Sequence, residues 1–186
     1  GMGRTGKMWA VEHYGVIPDM LLAAKSLGGG TVLSATIGRK EIMDSVDVGG
    51  LGGTFGGNPL SCVAALKAIE VTEAEKLTDR AVRLGKVARD RLEGMKSKYS
   101  IIGDVRGLGS MVGVEFVLDR KTKEPAAERV SEIRQRCLER GLITMSCGAL
   151  HNVLRLMFPL IIKEEEMETG LTILEDSIRE VGQARR

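Results

Sequence analysis

A mixed α/β protein, with a glycine-rich first part and a compact α+β second part, is what this 186-residue sequence predicts. Three observations carry that prediction. Fourteen of the 24 glycines fall in the first 57 residues, so the backbone there turns often and approaches something closely. Apolar residues three and four apart fill the middle and the end of the chain, which is the helical period. Beyond Tyr99 apolar and polar residues alternate, the period of a strand with one buried face. The expected divisions are residues 1–74, a connecting helix over 75–98, and an α+β unit over 99–186.

Along the chain, Met20-Leu21-Leu22-Ala23-Ala24 is a short unalternated apolar run after Pro18-Asp19, which suits a strand buried on both faces. Val32 to Gly38 reads as another strand and Arg39 to Val46 as a short helix. Asn58-Pro59 is a helix start: Asn caps free N–H groups, and proline's missing N–H is no loss in a first turn. That helix runs to about Thr72. Leu77, Ala81, Leu84, Ala88, Leu92 and Met95 form the buried stripe of the next. Ile101 to Val105 is a strand, and Val112, Val114, Phe116 and Leu118 share one face of its successor. A helix from about Pro125 to Arg140 stops at Gly141, a residue type favoured just past helix ends. Leu142 to Ser146 and Asn152 to Leu156 are strand-like. The last helix, from Lys163, buries Met167, Leu171, Leu174, Ile178 and Val181, with Glu164, Glu165 and Glu166 in its first turn, where negative charge suits the helix dipole. The second part is therefore expected to be a small sheet with two packing helices.

Composition excludes several classes. A net charge of +2 gives no single-sign field that would imply nucleic acid or a membrane surface. Cys62, Cys137 and Cys147 are odd in number and far apart, against a disulfide scaffold or zinc site and in favour of a reducing cytoplasm. His13 and His151 form no ligand cluster, so no metal is expected. No apolar run reaches the ~20 residues that span a bilayer, and no signal peptide is visible. Gly1 ahead of Met2 reads as a tag remnant. The Gly1-Met2-Gly3-Arg4-Thr5-Gly6 match to a dinucleotide fingerprint is rejected, because no strand precedes it and residues 20–40 hold no acidic partner.

Three residues stand out chemically. Lys25 leaves the first apolar run, where desolvation would free its amine as a nucleophile; the plainer reading is a lysine reaching solvent. Thr54, in Gly52-Gly53-Thr54-Phe55-Gly56-Gly57-Asn58-Pro59, offers a hydroxyl and unhindered N–H groups before a helix start, either a phosphate seat or a flexible loop with a cap. Arg155 interrupts the apolar Val153-Leu154-Arg155-Leu156-Met157, and its planar fork needs an anion, either a ligand carboxylate or an internal Asp or Glu.

Read together, Gly3-Arg4-Thr5-Gly6-Lys7-Met8, Glu12-His13-Tyr14-Gly15, Pro18-Asp19 and Ala24-Lys25-Ser26-Leu27 resemble the class III aminotransferases, which use pyridoxal 5'-phosphate. The resemblance continues through Gly52 to Leu60, Gly107-Leu108-Gly109, Gly113-Val114-Glu115-Phe116, Cys147-Gly148 and Asn152-Val153-Leu154-Arg155, over essentially the whole chain. The Cys147-Gly148 and Asn152-Val153 stretch leans towards the 4-aminobutyrate aminotransferase branch.

The resemblance implies the C-terminal part of the fold type I transferase fold: a partial cofactor-binding large domain (1–74), the connecting helix, and the small domain (99–186). It implies that Lys25 is catalytic, holding the cofactor as a Schiff base and shuttling a proton. Thr54 would bind the cofactor phosphate across a dimer, and Arg155 would grip the substrate carboxylate. The reaction implied is transamination between an ω-amino acid and a 2-oxo acid, both small molecules. Two departures matter. Phe158-Pro159-Leu160 stands where the family usually has Pro-Pro-Leu, and family members are more than twice this long. The family's aspartate on the pyridine nitrogen lies upstream, so this chain alone is expected to bind cofactor weakly and be inactive. The competing expectation is a non-catalytic folded remnant that self-associates through strand edges.

Overall fold

The structure, a computed structural model, describes residues 1–183. It divides into two compact units, Gly1–Arg80 and the chain from Ala81 onward. In the first, turns lead to a short 3-10 helix over Ala10–Tyr14. β1 (Met20–Ala23) and β2 (Ala35–Gly38) then pair antiparallel, Leu22 opposite Thr36. A four-residue helix α1 (Lys40–Met43) and the long α2 (Pro59–Ala74) follow. A small core joins them, with Met2, Ala23, Leu27 and Ala65 buried and Trp9, Leu33 and Ile69 packed against these.

Two expectations fail here. The Met20–Ala24 run is a strand, but it is not buried on both faces: Leu22 is 77% exposed, Met20 is exposed, and only Ala23 is covered. The physical reason is that, among the described residues, its sheet has two strands and no layer over Leu22. The short helix expected over Arg39–Val46 shrinks to one turn.

The second unit follows the sequence closely. α3 (Leu77–Lys98) begins in the first unit and runs into the second. β3 (Ile102–Leu108), β4 (Met111–Phe116), β5 (Met145–Cys147) and β6 (Val153–Leu156) form one antiparallel sheet in the order β3-β4-β6-β5. α4 (Ala127–Glu139) and α5 (Glu164–Gln183) complete the unit. The predicted stripes are the observed core: Leu84, Ala88, Leu92 and Met95 of α3 meet Ile133 of α4, Leu174 and Ile178 of α5, and Val112, Val114, Phe116 and Leu154 of the sheet. α4 and α5 are the two helices expected after residue 99, and α3, from the segment before it, adds its stripe to the same core. Leu118 leaves the β4 face because the strand ends at Phe116, and it is exposed.

Polar contacts fix the helices in place. The Arg120 side chain donates to the Lys96 carbonyl in the last turn of α3 and to the Tyr99, Ser100 and Ile102 carbonyls of the link into β3, tying the end of the helix to the sheet. Glu166 reaches back to accept from Lys163 N–H at 3.0 Å, capping α5. Glu175 on α5 accepts from Lys98 at 3.0 Å and lies 3.1 Å from Arg91, both on α3.

The tightest approach is between α3 and the β3–β4 turn. A Cβ on Gly85 would lie 1.7 Å from the Gly109 carbonyl oxygen, so only glycine lets the helix sit there. Gly85→Ala should destabilise the chain by about 2–3 kcal/mol, as overpacking against backbone does; urea unfolding measures it. The bond from Lys98 holds the Glu175 carboxyl below its ordinary value of 4.5, and Arg91 adds to the shift. A lowered folded value means that its stabilisation is present above pH 4.5 and is lost as pH falls through that lower value. Glu175→Gln should lower stability near neutrality and flatten the acid side of a stability-versus-pH curve.

Candidate active site

Lys25 opens a 3-10 turn, Lys25–Gly28, directly after β1. It adopts a left-handed φ of 56°, unusual for a residue with a side chain. Leu27, in the same turn, is buried. Two residues further on, Gly29 takes φ +59° against α2, where a Cβ would lie 3.0 Å from the Ala64 oxygen and 3.3 Å from the Ala68 Cβ. The turn is thus seated on α2 through a residue that must be glycine. The Lys25 side chain itself is exposed, not desolvated as its place after an apolar run suggested, although Ala23 just before it is buried. Among the described residues its amine has neither an ion-pair nor a hydrogen-bond partner.

Thr54 is also exposed, in the turn that ends where α2 begins. Gly56 N–H donates to Gly53 O at 2.9 Å and Asn58 N–H to Phe55 O at 3.3 Å, so the loop is a pair of overlapping turns. The Asn58 cap expected from the sequence is present. The Asn58 side-chain oxygen accepts from Leu60 N–H (3.0 Å) and Ser61 N–H (3.3 Å), so the first donors of α2 are already used. An anion here would be met by the Thr54 hydroxyl and by loop N–H groups, not by the helix end. No Cβ-sized obstacle lies within 4 Å of Gly52, Gly53 or Gly57, which leaves the loop's backbone open to a ligand. A free primary amine and an open hydroxyl-bearing glycine loop fit a group that carries an aldehyde and a phosphate.

Arg155 belongs to the second unit. On β6 it stands opposite Gly113 of β4 and Met145 of β5, on the face away from buried Leu154. Among the described residues it makes no ion pair, so no internal Asp or Glu neutralises it, and its Nε is buried without a partner. Leaving such a donor unbonded costs about 1–3 kcal/mol. Beside it lies a cavity of about 340 Å³, mostly apolar, walled by Leu142, Met157, Phe158, Met167 and Leu171. The Thr144 hydroxyl, on the same wall, is a second buried polar atom without a partner.

The same sheet face carries a cluster that the sequence reading missed. Arg106 Nη1 donates to Asp104 at 2.8 Å and to Glu115 at 2.6 Å. The bond from Arg106 holds the Asp104 carboxyl below its ordinary value, and the bonds to Asp104 and Glu115 raise the guanidinium's own. Alternation on two strands joined by a tight turn was the available signal, since Asp104 and Arg106 on one and Glu115 on the other must share a face.

No helix among the described residues is long and apolar enough to cross a membrane. The sequence matches the family Aminotransferase class-III over residues 1–178. It is 44% identical to the 4-aminobutyrate aminotransferase GabT of Escherichia coli over 183 residues, 98% of this chain and 43% of that protein. It is 47% identical to a leucine/methionine racemase of Thermococcus litoralis, over 100% of this chain and 41% of that one. The crystal structure of the ornithine aminotransferase from Toxoplasma gondii superposes with a TM-score of 0.87 at 36% identity, covering 100% of this chain and 42% of that one. The chain thus spans less than half the length of the relatives it matches. Its mixed helix and sheet are those of the C-terminal part of the fold type I aminotransferases, and the chain belongs to the class III aminotransferase family.

Proposed function

We propose that this chain carries three working residues of a pyridoxal 5'-phosphate-dependent transamination between an ω-amino acid, such as 4-aminobutyrate, and a 2-oxo acid. One observation carries the substrate class: Arg155 is a guanidinium with no counter-ion among the described residues and a buried, unbonded Nε. Such a group is a receptor for a carboxylate in two-point contact. Bound cofactor supplies an electron sink for the carbon that loses its proton. Lys25 would hold the cofactor through its amine, and its Nζ would be the group that takes and returns that proton. Thr54 donates its hydroxyl to the cofactor phosphate, beside loop N–H groups that add no bulk. Arg155 fixes the substrate's carboxylate, and so sets which carbon faces the lysine.

Residues 1–74 are read as part of the cofactor-binding domain, 75–98 as its connection, and 99–186 as the small domain. The working form is read as a cytoplasmic homodimer in which Thr54 serves the neighbouring site, with no nucleic-acid or membrane partner.

Reductive trapping tests the lysine, because borohydride captures even weakly held cofactor. After incubation with pyridoxal phosphate and reduction, peptide mass spectrometry should place the label on Lys25, and Lys25→Ala should abolish it. Label spread evenly over the other lysines would refute the assignment. For the arginine, Arg155→Gln in an active form should raise KM for 4-aminobutyrate about 10- to 100-fold, the worth of hydrogen bonds between charged groups. An amine donor without a carboxylate should be unaffected; equal losses for both donors would sink the carboxylate role.

A further inference from the structure

We infer that Gly29 is a positioning residue: by letting the turn after β1 sit directly on α2, it fixes where the Lys25 amine stands relative to the Thr54 loop. The inference rests on the reading of Lys25 as the cofactor amine. Its basis is a set of contacts within the first unit. Leu27 N–H donates to Ala24 O and Gly29 N–H to Ser26 O, both at 3.2 Å, so residues 24–29 form one hydrogen-bonded turn with Lys25 inside it. Both donors of Thr31, its N–H at 3.0 Å and its hydroxyl at 2.7 Å, converge on Gly28 O and close the far side.

The turn meets α2 at two points. Leu27 is buried in the same cluster as Ala65, and Ala68 and Ile69 pack against that cluster. Gly29 approaches the helix itself, at the Ala64 oxygen and the Ala68 Cβ. A Cβ at position 29 would push the turn from α2 by a few tenths of an ångström. The bond from Gly29 N–H to Ser26 O would carry that shift to Lys25. Pro59–Ala74 is one uninterrupted helix, and the Thr54 loop ends at its Asn58 cap. At about 1.5 Å per residue, Ala64 stands roughly 9 Å along the helix from that cap. One rigid element thus sets the place of both the amine and the phosphate loop. In the homodimer read above, where Thr54 serves the neighbouring site, α2 would space the lysine of one site from the phosphate loop of the other.

Three variants separate this contact from backbone strain. Gly29→Ala adds the Cβ. Ala68→Val presses on the same contact from the helix side and leaves the sequence of the turn unchanged. Gly30→Ala is the control, since Gly30 also has a positive φ, +102°, but a Cβ there meets nothing within 4 Å. With the lysines methylated by isotope-labelled formaldehyde, the Lys25 methyl resonance reports the amine without cofactor, and Lys25→Arg assigns it by its loss. It should move in Gly29→Ala and in Ala68→Val and stay in place in Gly30→Ala. Borohydride trapping with pyridoxal phosphate should label Lys25 about tenfold more slowly in the first two variants, as misplacement of a reacting group does. The other lysines should label at wild-type rates.

An unchanged Lys25 resonance and labelling rate in Ala68→Val, with the β1 and α2 amide patterns intact, overturns the inference. So does an equal effect from Gly30→Ala, which would make strain the cause. Gly29→Ala decides on the same readouts should Ala68→Val fail to fold. Wild-type label spread over the other lysines would instead remove the reading of Lys25 as the cofactor amine, and the methyl resonance would still show whether Gly29 places it.

Discussion

The two-residue period of β4 is the constraint on which the second unit depends. Val112, Val114 and Phe116 point one way and are fully buried among the three helices. Gly113 and Glu115 point the other way and meet Arg106, Arg155 and Val153. A one-residue slip would exchange these faces, exposing the core and burying the charges. Each fully buried Val or Phe contributes about 1.5–3 kcal/mol, so the core holds the register and the register in turn places the charges. The bulge at Gly103, between the Ile102 and Asp104 pairings, is part of the same fit. It brings Asp104 onto the charged face while Ile102 stays in the core.

The second unit was legible because its signals are local and periodic. Leu84, Ala88 and Leu92, or Leu171, Leu174 and Ile178, recur at a spacing that only a helix buries on one side, and all are buried. The first unit was less so. An unalternated run such as Met20 to Ala24 promises cover on both faces, a claim about neighbours rather than about the segment itself. The strand formed, but among the described residues the neighbours that would cover Leu22 are missing.

The site was legible to a different depth at each residue. Arg155 stood out because a guanidinium within an apolar strand demands an anion, and its unpartnered Nε sharpens that demand. Lys25 and Thr54 gained weight only from the family pattern, since a lysine after a strand and a threonine among glycines are common. The Asp104–Arg106–Glu115 cluster was hidden for a physical reason. Glu115 stands nine positions from Arg106, on the other strand, and only the hairpin register makes it a neighbour of the Asp104–Arg106 pair. The Asn58 cap was legible from its place before Pro59, and the bonds to Leu60 and Ser61 N–H are the capping bonds expected there.

The unbonded Nε of Arg155 links stability to recognition. A buried donor left without a partner lowers the stability of the free chain by about 1–3 kcal/mol. A carboxylate that supplies the missing bond regains that amount on binding, which adds to the Coulomb attraction. On the proposed reading of Arg155, the unmet bond that weakens the free chain is the same one that a substrate carboxylate would satisfy, so one atom would carry both the cost in stability and the gain in recognition.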